Sequence, residues 1–214
     1  MASEFNPALL SQVDRYKLLI GGIVPRPIAW VSTVSLDGKV NLAPFSFFSG
    51  VGSNPMLLLF CPANTPLGTE KDSLRNAKLE TEGGAGEFVV NTVSYELAAK
   101  MALTAEPLAY GDSEFELAGL TPVKSTKVRP PRVGECTLAF ECETRQVIRT
   151  NPGAPGGGNI VIGEVVYVHA ADGLVNEQHH VDPAILDAVG RHGGLTYSTT
   201  RERFEHPMGR IKNG

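Results

Sequence analysis

Apolar positions along this chain fall in short runs, and turn residues mark most of their ends. The run 28–34 is apolar and β-branched, Asp37-Gly38 is a turn dipeptide of the kind that closes a hairpin, and Val40 begins a second run broken by Pro44. A hairpin is predicted there. A continuous apolar run at 56–61, bounded by Asn54-Pro55 and Pro62, predicts a buried strand, and 87–91 predicts another. Segments 137–148 and 160–169 read as the two long strands of the second half.

Helical spacing is confined to isolated segments. Thr69 is placed to cap a turn at Asp72, with Leu74, Ala77 and Leu79 as an apolar stripe beneath exposed Arg75 and Lys78, until the glycines of 81–86 stop it. Ser94 is placed to cap a short helix with Leu97, Ala98 and Met101 on one side. Asp182-Pro183 is a cap followed by proline at the first helical position, and Gly190 is the expected stop. The prolines and glycines of 103–131 predict a long excursion over the surface, and NPGAPGGG at 151–158 a mobile loop between strands.

Strands therefore dominate, and helices are inserted singly without the alternation of a doubly wound sheet. This predicts a mainly β chain in which an antiparallel barrel closes off the exposed edges of many short strands. A length of 214 residues suits one domain over 1–214.

Composition narrows the function classes. A net charge of −4 with scattered Lys and Arg leaves no basic footprint for nucleic acid. Residues 1–17 lack a signal pattern, and nowhere do about eighteen apolar residues run together, so no membrane association and a cytoplasmic location are expected. Cys61, Cys136 and Cys142 form an odd set without CxxC, which suits reduced thiols and offers no paired zinc spacing. His179-His180, preceded by Glu177, would point to opposite faces of a strand, so no metal is expected. No GxGxxG is present, nor a GxxxxGK[ST] loop, and Gly50-Val51-Gly52-Ser53 lacks the spacing of a nucleophile elbow. Arg145, Arg149, Arg201 and Arg203 read as scattered solvated charge, or one of them as a partner for the phosphate of a second nucleotide.

Two stretches carry candidate chemistry. Ser32, Thr33, Asn41, Ser46 and Ser49 lie among Trp30, Phe45, Phe47 and Phe48, a mix of flat walls and orienting hydrogen bonds that suits a planar polar heterocycle. An ordinary hairpin with solvated or locally bonded serines has the same composition. Lys71-Asp72-Ser73 puts an ammonium and a hydroxyl at the start of a helix, a device for a phosphate monoester or merely a solvated first turn.

The run RPIAW-ST-DG-NLAPFSFF, then SNP at 53–55, KDSLRN at 71–76 and EFVVN at 87–91, resembles the flavin reductase-like family of FMN-binding split β-barrels, in its branch related to flavoredoxin and to the reductase components of two-component monooxygenases. EFELAGLT at 114–121, VRPPRVGECTLAFEC at 128–142, IVIGEVVYVH at 160–169 and GRHGGLTYS at 190–198 extend the resemblance over a core of about 16–197. It implies an antiparallel, Greek-key-like split barrel, a homodimer, and FMN near the subunit interface. It further implies flavin contacts at Ser32, Thr33, Asn41, Pro44, Phe45, Ser46, Phe47 and Ser49, with backbone groups prominent in 44–49. Lys71 and Ser73 fall on the family's KDT-type phosphate motif, with Ser73 in place of threonine. His192 and Tyr197 are candidates for the pocket mouth where a nicotinamide or acceptor would stack, or belong to a surface turn; no catalytic residue is named. The implied activity is an NADH- or NADPH-dependent flavin reductase that supplies a partner monooxygenase. A flavoredoxin-like carrier exchanging electrons with a redox protein, or a non-catalytic flavin-binding protein, are the alternatives.

Overall fold

The structure is a computed structural model and describes residues 3–109 and 111–206. Strands β1 (Ala29–Val34) and β2 (Val40–Phe45) pair antiparallel from Ala29 opposite Phe45 to Val34 opposite Val40. Gly38 closes the turn at φ 85°, a left-handed conformation that costs glycine little. Strands β3 (Phe48–Ser53) and β4 (Met56–Phe60) form a second hairpin, β8 (Leu138–Arg149) and β9 (Asn159–Ala170) form the third, and β5 (Glu87–Asn91) pairs with β1 and β8 without belonging to a hairpin. Between β5 and β8 lie the two-residue strands β6 (Pro122–Val123) and β7 (Arg132–Val133), and the chain later makes a small hairpin of β10 (Val189–Arg191) and β11 (Tyr197–Thr199).

Seven strands form one antiparallel sheet in the order β2-β1-β5-β8-β9-β4-β3. Its two edge strands are consecutive in the chain, joined only through Ser46 and Phe47. A flat seven-stranded sheet would hold its edges about 29 Å apart, whereas the three peptide steps from Phe45 to Phe48 reach about 11 Å. The sheet must therefore curl until its edges meet. They share no ladder there, which leaves a barrel split along one seam.

Alternation along β1 and β2 sorts side chains between two cores. Ala29, Val31 and Phe45 face the interior, where Phe60 packs against Phe45 and Phe88 with ring centroids 5.2 and 5.0 Å apart. Helix α2 (Asp72–Ala77) adds fully buried Leu74 and Ala77 to that interior. Ile28, Trp30 and Leu42 face outward onto α3 (Ala98–Leu103) and α4 (Glu114–Leu117), where Trp30 Nε1 donates to Thr104 Oγ1 at 2.8 Å.

The excursion at 103–131 is consequently a covering layer. Phe115 is buried against the outer core, and Glu114 accepts the Leu42 N–H at 2.9 Å. The 151–158 tip is also held: Asn64 Nδ2 donates to Ala154 O at 3.0 Å, and the Asn64 N–H to Gly157 O at 2.8 Å. The apolar run at 56–61 alternates instead of being buried throughout, with Leu58 and Phe60 buried and Met56 exposed.

Helix ends also depart from expectation. Lys71, without a side-chain cap, precedes α2; Thr69 bonds to Thr65, and Leu79 lies beyond the helix. Ser94 opens a 3-10 turn (Tyr95–Leu97) that runs into α3 and makes no side-chain cap. Helix α5 (Pro183–Leu186) is capped by Asp182, whose carboxylate accepts the Ala184 N–H at 2.7 Å, but it ends at Asp187 with φ 42°; Gly190 belongs to β10.

Sequence periodicity does not reveal α1 (Gln12–Gly22), because none of its residues is buried. Its start is marked instead by Ser11, whose hydroxyl accepts the Asp14 N–H at 3.1 Å. Nor are the arginines simply solvated. Arg149 bridges Glu70 and Glu82 at 2.7 and 3.0 Å, Arg145 pairs with Glu164 at 2.8 Å, and Arg201 grips Asp187 through two 2.8 Å bonds. Arg203 donates to Thr200 O.

Candidate functional site

The residues singled out in the sequence fall into two clusters and three outliers. At the first cluster, α2 docks on the β1–β2 hairpin through side-chain hydrogen bonds. Asn76 Nδ2 donates to Thr33 Oγ1 at 3.1 Å, and Asn41 Nδ2 to Ser73 Oγ at 3.0 Å. Thr33, Ser73 and Asn76 are all buried. Lys71, exposed just before the helix, has no ion-pair partner among the described residues, while Asp72 pairs with Arg75 at 2.9 Å. The result is a rigid polar patch with one available cation at its edge.

The second cluster gathers at the seam. Where β2 leaves the sheet, Ser46 accepts a hydrogen bond from Arg26 Nε at 3.1 Å. Arg26 is only 3% exposed. Its other donors reach Ile20 O and Ile23 O at the end of α1 and, at 2.9 Å, His192 O beside β10. Backbone bonds between Arg26 and Arg191, at 2.9 and 2.8 Å, add a bridge to the β10–β11 hairpin. One side chain thus joins three parts of the chain that are remote in sequence.

These elements enclose a cleft of about 360 Å³, with Ile28, Pro44 and Met101 as apolar wall and Tyr16, Ser46, Arg191 and Tyr197 as polar lining. The Arg191 guanidinium lies 4.3 Å from the Tyr197 ring centroid. Burial lowers the pKa of Arg26 from its usual value; the Tyr16 phenol works against that and Arg191 adds to it. Phe47 lies beside the same guanidinium, 5.9 Å from its ring centroid.

Pro44, Ser46 and Tyr197 are therefore brought together, and His192 contributes mainly a carbonyl, its ring being hydrogen-bonded to Ser198 at 2.9 Å. Phe45 is in the barrel interior. Ser32 is an outlier because neighbouring strand residues face opposite sides: Thr33 meets α2, while the Ser32 hydroxyl donates to Pro131 O under the covering layer. Ser49, on the edge strand β3, is exposed and donates to Gly50 O at 3.0 Å. Arg26 escaped sequence reasoning. It opens the RPIAW motif between two prolines, Pro25 and Pro27, which says nothing of burial.

None of the three cysteines lines the seam cleft. All three cysteines are free, and burial pushes Cys61 and Cys142 up and Cys136 to about 12, which suppresses the reactive thiolate. His179 and His180 are exposed, and no group of three or more potential metal-ligating side chains occurs among the described residues. Among those residues no helix is long and apolar enough to cross a membrane.

A barrel split beside a short helix, with a polar patch at that helix and a mixed cleft at the seam, places the chain among the split β-barrels. The family model described as "Flavin reductase like domain" matches residues 21–197, and the chain belongs to that family. It is 40% identical over 216 aligned positions to a protein of Deinococcus radiodurans described only as uncharacterised, covering 98% of this chain and 90% of that one. Nitrilotriacetate monooxygenase component B from Bacillus cereus superposes with a TM-score of 0.89 at 34% identity, over 96% of this chain and 99% of the other. The 2-nitrobenzoate 2-nitroreductase NbaA of Pseudomonas fluorescens gives 0.85 at 28% identity, over 98% of each chain. The chain is a flavin-using oxidoreductase.

Proposed function

We propose that the chain binds FMN and reduces it with NADH or NADPH, handing reduced flavin to a partner monooxygenase. The observation that carries this reading is the pairing of the two clusters, one suited to a phosphate and the other to a flat ring and a second substrate. Lys71 and Ser73 would hold the phosphate, with Asn41, Thr33 and Asn76 fixing Ser73 and α2 in place. Pro44, Ser46, Phe47 and the backbone of 44–49 would meet the ring, with contacts from Phe45, Ser49 and Ser32 through the main chain. The residues present fit the group: an available ammonium, buried hydroxyl and amide groups, and a small side chain at the bend.

Bound flavin supplies the hydride and electron chemistry itself. The chain's own part is to bind, to orient through the Arg26–Ser46 contact, and to keep a second site open at Tyr197. A cleft of small-molecule size favours a nicotinamide donor over a protein donor, and so the reductase over the flavoredoxin-like carrier. The Bacillus cereus neighbour, named as a monooxygenase component, supports an oxygenase as the recipient.

A homodimer is part of the proposal. Val13, Leu18, Leu19 and Ile23 of the α1 segment and Val51 on edge strand β3 are each about half exposed, an apolar surface that a second copy would cover. The chain acts as one domain in the cytoplasm.

The test is the visible spectrum of the purified protein, with and without added FMN, followed by anaerobic addition of each nicotinamide. Bleaching of FMN by NADH or NADPH at a catalytic rate is expected. A protein that neither takes up FMN nor oxidises either nicotinamide would sink the reading, and bound flavin reduced only by a protein donor would transfer it to the electron carrier.

A further inference from the structure

The charges lining the seam cleft are unbalanced. Arg26 and Arg191 both face it, and no carboxylate is among its lining residues. Arg26 is engaged by carbonyl and hydroxyl oxygens, which solvate its charge without neutralising it. Arg191 commits one Nη2–H to Gly194 O, lies over the Tyr197 ring, and has no acidic partner among the described residues. Arg75, Arg129, Arg145, Arg149 and Arg201 each pair with a carboxylate, whereas Arg15 and Arg203, like Arg191, donate to carbonyl oxygens. Two neighbouring guanidinium groups without a counter-ion repel each other, and an anion between them relieves the cost.

The geometry of Arg191 narrows the anion. Stacking on Tyr197 orients a planar fork of N–H donors, which matches two oxygens of a carboxylate or phosphate better than a spherical ion. The apolar wall of the cleft is formed by Ile28, Pro44 and Met101. A volume of about 360 Å³ exceeds the roughly 150 Å³ that accommodates benzene in an engineered cavity.

We infer that the seam cleft is a specificity site for a planar anion, a ring carrying a carboxylate or phosphate whose oxygens pair with the Arg191 guanidinium. The inference rests on the reading of this cleft as the second-substrate site only for which reactant carries the anion. Carboxylate of an acceptor and phosphate of a nicotinamide nucleotide share the chemistry.

The test is calorimetric titration of the purified protein with benzoate, its neutral analogue benzamide, and inorganic pyrophosphate, while flavin content is followed by absorbance. Benzoate is expected to bind at least about tenfold more tightly than benzamide. Arg191→Gln should erase that preference and Arg191→Lys restore part of it, with thermal melts confirming that both variants fold. Equal affinities for benzoate and benzamide in the wild type, or a preference that survives Arg191→Gln, would overturn the inference. Pyrophosphate binding more tightly than benzoate assigns the anion to a nucleotide, and the reverse order to a carboxylate substrate. A protein that holds no flavin but keeps the Arg191-dependent preference refutes the flavin reading and leaves this one standing.

Discussion

Arg26 Nε and Ser46 Oγ stand 3.1 Å apart across the seam, so a buried cation positions the residue at which the chain crosses from one edge of the sheet to the other. The same guanidinium satisfies carbonyls of α1 and of the segment beside β10. Removing it leaves those oxygens without a donor and frees the bend, α1 and the small hairpin from one another.

Arg26→Ala is therefore expected to cost about 2–3 kcal/mol in urea unfolding and to reduce flavin retention on gel filtration. Arg26→Lys should recover part of both, since an ammonium can reach some of these acceptors but not all. Unchanged flavin retention in Arg26→Ala would separate the bend from the flavin site.

Lys71→Ala should weaken FMN by about tenfold and leave riboflavin nearly unchanged, because the ammonium addresses only the phosphate. Fluorescence titration with both flavins reads this directly. The FMN preference of the wild type should also shrink as salt rises, since Lys71 is exposed.

Two buried carboxylates should respond to pH with opposite sign. Burial works to raise Glu141, but the amides of Thr126, Lys127 and Val128 together with His169 outweigh it and hold its carboxyl below the usual 4.5. Its contribution to stability is present above that value and is lost as pH falls through the lower, folded one. For Glu114 burial prevails over the Leu42 amide, with Asp72 and Asp112 adding to it, and its carboxyl is raised above 4.5. Its contribution is full below 4.5 and is lost as pH rises through the folded value. Thermal melts should show Glu141→Gln more destabilising at about pH 7 than at about pH 3, and Glu114→Gln gaining on wild type between about pH 4 and pH 8.

Gly163 on β9 faces the barrel interior, where an added Cβ would run into the Phe88 ring and press on Cys142. Gly163→Ala is expected to cost about 1–3 kcal/mol in urea unfolding. Pairing it with Phe88→Leu should cost less than the two changes summed, because the smaller side chain gives up the contested space.

Local pattern carried much of this protein. The β1–β2 hairpin was legible because 28–34 is β-branched and Asp37-Gly38 demands a tight turn, and β8 and β9 begin and end within about a residue of the segments 137–148 and 160–169. The order of short motifs, from RPIAW to GRHGGLTYS, was enough to place the chain in its family. Periodicity reports which face of an element is apolar, and only where a face is buried, so it missed α1 and overstated the burial of 56–61.

What tertiary structure decided is which strands become neighbours. Ser46 and Phe47 join opposite edges of a seven-stranded sheet, a fact set by pairings as distant in sequence as Leu57 with Glu164 and by the short reach of the connection. That closure separates Ser32 from Thr33, gathers Pro44, Ser46 and Tyr197 at one cleft, and buries Arg26 among carbonyls from both ends of the chain. A buried charge is stable only where its partners converge, and convergence belongs to the folded chain, not to any window of sequence.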